Sequence, residues 1–280
     1  TVSVLKSELA KLHCPVELYV RENNAGYAGG HNQLFRVAVE PYVVLVNQDM
    51  YLMPDCLERL VEAADAYPLS AALTPRLMRW DFERSTHEGL AAGLTSLIDS
   101  LGIERLPNRR FIEKDSGARW QDVRGEKVQQ VFGVSGALPL YKTHALRDIA
   151  AEGDIFDERF DSYKEDIDVA YRLTRHGYHA LVVTDAVAYH DRTAAMPVGG
   201  LGDWQAWKNK RQHSKRVRFL SYRNHLYVLF RHESCATLGS DVWAVVWYEF
   251  KKAIALLFTE PRLVMRAWRD VWRYKKTART

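Results

Sequence analysis

Apolar and polar positions follow two rhythms along the first two-thirds of the chain, one of period two or unbroken, the other helical. Tyr42-Val-Val-Leu-Val46 is a continuous apolar run of the kind buried in a parallel sheet. Shorter runs at 16–20, 128–132, 180–183 and 186–189, and one ending at Tyr141, read as further strands. Helical spacing appears at 32–40 and from Thr143. It also follows Pro54, where Leu57, Leu60, Val61 and Ala64 form a stripe behind a first-turn proline. Another helix spans 165–176, with Ile167, Val169, Ala170 and Leu173 inward and Gly177 as its C′ residue. Strands alternating with helices predict an α/β domain whose mixed, mostly parallel sheet is flanked by helices.

Two segments break that rhythm. Residues 80–127 mix polar, Gly and Arg positions and read as an insertion carrying hairpins or irregular loops. After a Gly/Pro loop at 197–202 come about three helices, at 204–230, at 242–258 and following Pro261. The organisation expected is therefore a domain over 1–203 and a helical C-terminal appendage over 204–280.

Charge sharpens this division. Residues 204–280 hold 17 Lys/Arg against 5 Asp/Glu, whereas 1–203 hold 22 against 30, and six of the eight tryptophans lie in the basic part. On the helix at 242–258, Trp243, Val246, Trp247, Phe250, Ile254 and Leu257 recur at helical spacing beside Lys251 and Lys252. Interior packing accounts for such a stripe, and so does attachment to an anionic membrane surface. Nucleic acid is not an expected partner, because the basic residues are tied to apolar stripes and no recognition motif accompanies them. Cys14, Cys56 and Cys235 are far apart and form no CxxC, which fits a reducing compartment and gives no thiolate metal site. No stretch of about 18 uncharged apolar residues spans a bilayer. A cytoplasmic protein, peripheral at the inner face of the cell membrane, is the expectation.

Four features carry candidate chemistry. The apolar strand at 42–46 ends in Asn47, Gln48 and Asp49, and polar groups at the carboxyl end of a strand face the ligand crevice in open α/β sheets. Asp49 suits a hard divalent cation that takes one or two carboxylates plus water and phosphate oxygens; it equally suits capping of the next turn. Glu165 and Asp166 open a helix, where acidic residues favour the exposed N–H groups, or where one of them acts as a general base. His190 ends a strand as a packed histidine or as a ligand in a mixed N/O site. The glycine-rich stretch from Asn23 to Asn32 lets backbone approach a ligand, and a helix N-terminus after it favours anions.

Together these stretches resemble the family 2 glycosyltransferases, and more narrowly their rhamnosyltransferase-like members. The resemblance rests on Asn24-Ala-Gly-Tyr-Ala-Gly-Gly-His-Asn32, Leu45-Val-Asn-Gln-Asp49, Gly133-Val-Ser-Gly-Ala137, Phe156-Asp-Glu158 with Tyr163-Lys-Glu-Asp-Ile-Asp168, Ala188-Tyr-His190 and Tyr222-Arg-Asn224. It covers about residues 1–230 and implies a GT-A fold. Asn47-Gln48-Asp49 then stands at the family's DxD motif, with Asn for the first Asp, and Asp49 and His190 hold Mg²⁺ or Mn²⁺. Asp166 becomes the catalytic base, with Glu165 orienting it or the acceptor. Gly133, Ser135 and Gly136 line the donor-sugar or acceptor pocket, and Asn24, Gly26 and Asn32 lie beside the nucleotide. Family members open with strands carrying an Asp-Asn-x-Ser-x-Asp-like motif, so the resemblance implies that this part of the nucleotide site is missing here.

The function implied is inverting transfer of a sugar from a dTDP-, UDP- or GDP-linked donor to a glycan or polyprenyl-linked acceptor in cell-surface polysaccharide synthesis. Rhamnose is the sugar that the subgroup suggests. A glycosidase would need two carboxylates flanking the bond. A non-catalytic carbohydrate-binding or scaffold protein of the same fold is the alternative.

Overall fold

The computed structural model describes residues 2–9, 11, 14–123, 125–191 and 214–277. Nine strands are formed: β1 (Tyr42–Val44), β2 (Met50–Leu52), β3 (Ser70–Trp80), β4 (Leu94–Ser100), β5 (Ile103–Arg105), β6 (Phe111–Glu113), β7 (Val128–Val131), β8 (Leu140–Lys142) and β9 (His179–His190). Seven make one sheet in the order β1-β8-β3-β9-β2, with β4 added to β3 and β7 to β9. β5 and β6 form a separate hairpin.

The long strands β3 and β9 are the parallel pair at the centre. The other pairings among the described residues are antiparallel, so the sheet is mixed as expected but less parallel. An unbroken apolar run reports burial on both faces, not strand direction. The two runs read at 180–183 and 186–189 are one strand. A register shift opposite Pro75 and Arg76 absorbs Thr184 to Ala186, and pairing resumes to deliver His190 opposite Arg79.

Helices cover both faces. Gly26–Val37, Thr143–Ile149 and Glu165–Arg175 pack Ala28, Phe35, Leu146, Val169 and Leu173 with Phe156 against one face. Cys56–Ala66 packs Leu60 and Ala64 against Leu73, Leu77 and Val183 on the other. Its buried stripe is Cys56, Leu60, Ala63 and Ala64, whereas Leu57 is exposed.

Three further expectations change. Residues 16–20 form no strand, because a strand needs a ladder partner and none of the described strands pairs with them. The helix expected at 32–40 begins at Gly26, so the glycine-rich stretch is its first turns and not a loop before it. The insertion at 80–127 contains the expected hairpin but also β4, a strand of the main sheet.

The C-terminal helices are Lys215–His232, Val242–Thr259 and Pro261–Thr277; residues 204–213 of the first expected helix lie outside the described residues. The first and third bury Leu220, Tyr227, Val264, Val271 and Tyr274 against Phe160 and Ile167. The middle helix buries Val245 alone and leaves Trp243 78% and Trp247 60% exposed. Interior packing therefore does not account for its apolar stripe. No helix among the described residues is long and apolar enough to cross a membrane.

Candidate functional site

Strand register brings the first cluster together. Hydrogen bonds from Leu45 N to Pro139 O and from Asn47 N to Ala137 O, each 3.0 Å, carry the chain from β1 to Asp49. Met50 then pairs with His190, and Asp191 N donates to Asp49 O at 2.9 Å. His190 Nε2 lies 3.5 Å from Asp49 Oδ2. That exceeds the usual charge-assisted range, so the two are neighbours without being a hydrogen-bonded pair.

The other ring nitrogen is engaged by a residue that the sequence did not single out. Asp99 Oδ2 is 2.9 Å from His190 Nδ1, and Asp99 is fully buried. It reaches there through a bulge: Ser100 pairs with Leu77 and Ile98 with Met78, so Asp99 is the extra residue on β4. Bulges re-aim side chains in this way. The usable signal in the sequence is the acid at the end of Leu97-Ile98, in a segment read as an irregular insertion.

The donor set was tested against a divalent cation. Asp49 Oδ1 is buried and has no hydrogen-bond partner, an arrangement that burial makes costly unless another partner completes it. With His190 Nε2 it makes a mixed N/O pair that suits Mg²⁺ or Mn²⁺ drawing its remaining ligands from water and phosphate. Among the described residues no group of three or more His, Cys, Asp or Glu converges on one point. The pair fits a metal shared with a phosphorylated ligand and does not fit an all-protein cage. Nearby, burial and then the Asp49 charge raise the Asp191 carboxyl.

The second cluster stands at the N-terminus of Glu165–Arg175. The approach is unusual: Asp161, Tyr163 and Lys164 have φ of 63°, 72° and 74°, left-handed values that non-glycine residues avoid. Asn224 holds this loop, its Nδ2 donating to the carbonyls of Phe160, Ser162 and Tyr163 at 2.8, 2.8 and 2.7 Å. The buried amide keeps this strained approach in place. The loop places Asp166 beside Gly136, where a Cβ would meet Tyr27 Oη at 3.0 Å and Asp166 Oδ2 at 3.9 Å. Tyr27 Oη donates to Gly136 O at 2.7 Å, and Ile167 N donates to Asp166 Oδ1 at 2.8 Å.

Both carboxyls are pushed up. For Glu165 the cause is burial, then the Asp166 charge; for Asp166 it is burial, opposed by Lys164 and reinforced by Glu113. Glu165 Oε2 is buried without a hydrogen-bond partner. Burial in turn lowers Lys164. Glu113, on the β5–β6 hairpin, links the clusters: Ser100 Oγ donates to it at 2.5 Å and Ser135 Oγ at 3.3 Å. It too was missed in the insertion, where nothing in the sequence marks it among neighbouring charges.

The remaining expected residues divide. Asn24 and Gly26 line an open cleft of about 290 Å³ with Tyr27, Ser162, Tyr163 and Arg216. Asn24 Oδ1 accepts from Gly26 N at 2.8 Å, and Gly26 takes φ 68° against Asp161. Asn47 is half-buried and Gln48 exposed, both next to Asp49. Ser135 is buried on Glu113, and Gly136 abuts Asp166. Asn32 does not face a ligand: fully buried, it donates to Phe156 O at 2.8 Å and accepts from Phe156 N at 2.9 Å. Gly133 is also a packing residue, since a Cβ there would lie 2.7 Å from Ala170 Cβ.

Residues 1–116 match the model of the glycosyl transferase family 2. This part of the chain is similar to that family. Over 155 residues it is 27% identical to the N-acetylglucosaminyl-diphospho-decaprenol L-rhamnosyltransferase of Mycobacterium tuberculosis, from strains CDC 1551 / Oshkosh and ATCC 25618 / H37Rv alike. That match covers 55% of this chain and 48% of the relative, so the chain spans about half the length of the curated relatives it matches. Among solved structures it is similar to GalNAc-T7 with UDP, GalNAc and Mn²⁺, at 10% identity and a TM-score of 0.52, covering 91% of this chain and 49% of that one. The fold of this chain is thus that of the GT-A glycosyltransferases.

Proposed function

We propose that this chain is a family 2, inverting glycosyltransferase that moves a sugar from a nucleoside diphosphate to a hydroxyl of a lipid-linked glycan. The observation that carries the reading is Asp166: a half-buried carboxylate with a raised pKa, set by a strained loop at the start of its helix beside Gly136 and Tyr27. Such a group can take a proton from an attacking hydroxyl in the course of displacement. Tyr27 fixes the Gly136 backbone beside it, and Asn224 fixes the loop behind it. Glu165, next to it, is also pushed up, by burial and then by the Asp166 charge, and would orient the base or the acceptor.

Asp49 and His190 would hold a divalent cation at the donor end of the crevice. When bound, that ion supplies stabilisation of the diphosphate as negative charge develops on it. Rhamnose as the donor sugar and a polyprenyl diphosphate as the acceptor anchor are supported by the relative's name. Peripheral attachment to a cytoplasmic membrane face is supported by Trp243, Trp247, Phe250 and Phe258, which are exposed among the described residues, beside Lys251.

The test is transfer from dTDP-rhamnose, UDP- and GDP-sugars to a prenyl-diphosphate-linked acceptor, with Mg²⁺ or Mn²⁺. Asp166→Asn lowers kcat by about 10²–10⁴-fold while donor binding stays within a few-fold. An Asp166→Asn protein with wild-type kcat removes the base assignment.

A further inference from the structure

Asp99 fills no role in the reaction as described so far, and its placement is expensive. A carboxylate removed from solvent costs free energy unless specific partners compensate it. The β4 bulge spends a ladder position to bring it within 2.9 Å of His190 Nδ1. The hydrogen bond can form in one sense only, with Nδ1–H donating, because an ionised carboxylate accepts and has no proton to give. A neutral imidazole that carries its proton on Nδ1 has its lone pair on Nε2. Nε2 is the atom that faces Asp49 Oδ2 across 3.5 Å.

We infer that Asp99 is a positioning residue that locks His190 in the Nδ1–H tautomer and in one ring orientation, presenting the Nε2 lone pair, beside Asp49, to a divalent cation. Outer carboxylates of this kind fix the tautomer of metal-binding histidines and raise their basicity. Ser100, next in sequence, ties this strand to Glu113, so the lock is braced by the hairpin that also borders Asp166. The inference rests on the glycosyltransferase reading only for why a cation is bound there.

The first measurement is made on the metal-free, ¹⁵N-histidine-labelled chain, with His190→Gln used to assign the ring. Long-range ¹H–¹⁵N correlation reads Nε2 as unprotonated; a protonated Nε2 overturns the lock. The second is Mn²⁺ affinity by electron paramagnetic resonance, with no donor or acceptor present. Asp99→Ala weakens binding about 10–100-fold. Asp99→Asn, whose amide oxygen still accepts from Nδ1–H, recovers part of that loss. Wild-type affinity in Asp99→Ala, or equal losses in the two variants, overturns the inference. Failure of the enzyme assignment looks different, as a locked tautomer and bound Mn²⁺ without sugar transfer.

Discussion

Replacing Asp168 by alanine is expected to destabilise the fold by about 3 kcal/mol at neutral pH. Asp168 is 1% exposed and lies two residues beyond Asp166 on the same helix, turned to the opposite side. It accepts from His232 at 2.7 Å, from Arg172 at 2.9 Å and pairs with Arg231 at 3.2 Å. Breaking a buried charge cluster by removing one member costs about 3–5 kcal/mol. The lower end applies, since Arg172 keeps the Ile149 and Ile155 carbonyls and Arg231 keeps Asp157, whereas His232 loses its acceptor outright. With an unfolding entropy of about 2.1 cal/mol/K per residue, a chain of this length loses about 5 °C in Tm.

The same site fixes the pH dependence. Burial raises the Asp168 pKa, but the His232 bond and the Arg172 and Arg231 charges outweigh it and hold the carboxyl at about 2. A pKa below the unfolded value means stability that is fully present above the usual carboxylate range, near pH 4, and is lost as pH falls through 2. The share at neutral pH is about 2 kcal/mol. Calorimetry of both proteins at pH 7 and near pH 3 therefore shows a Tm gap that narrows in acid. A gap under about 1 °C at pH 7, or one that widens in acid, refutes the reasoning.

Two further outcomes follow from the site and from the exposed helix. The raised carboxyls of Glu165 and Asp166 put the acidic limb of kcat/KM above the ordinary carboxylate range, with activity lost as pH falls through it, and Glu165→Gln moves that limb down by removing a repelling charge. A limb at the ordinary carboxylate position would contradict the burial argument. Trp243→Ala with Trp247→Ala lowers co-sedimentation with anionic vesicles by about 10-fold or more, from roughly 1.5–3 kcal/mol per large side chain withdrawn from lipid; unchanged co-sedimentation argues against attachment through this face.

Strand-end chemistry was readable because polarity changes abruptly there: Asp49 follows an apolar run, and His190 ends one. The helix with Glu165 and Asp166 was readable from Ile167, Val169, Ala170 and Leu173 and from Gly177, which takes φ 82° as its C′ residue. Sheet direction was not, since apolar runs carry burial without orientation. Asp99 and Glu113 escaped because their importance comes from a bulge and a hairpin, features of pairing between segments and not of any local pattern. Asn32 and Gly133 have packing roles that no local pattern shows. A buried amide that ties helix to loop, and a glycine that lets helix and strand touch, look in sequence like ligand contacts.

The run from Glu165 to His190 is one helix followed directly by one strand, with Glu165 and Asp166 at its start and His190 at its end. As a unit of inheritance it is a cassette. A recombination or engineered graft that exchanges it transfers both groups at once in fixed spacing, while Asp49 and Asp99 stay with the host. Chimeras between relatives cut just before Tyr163 and just after Asp191 thus move Asp166 and His190 together, and the imidazole meets its carboxylate only where the host's β4 keeps its bulge.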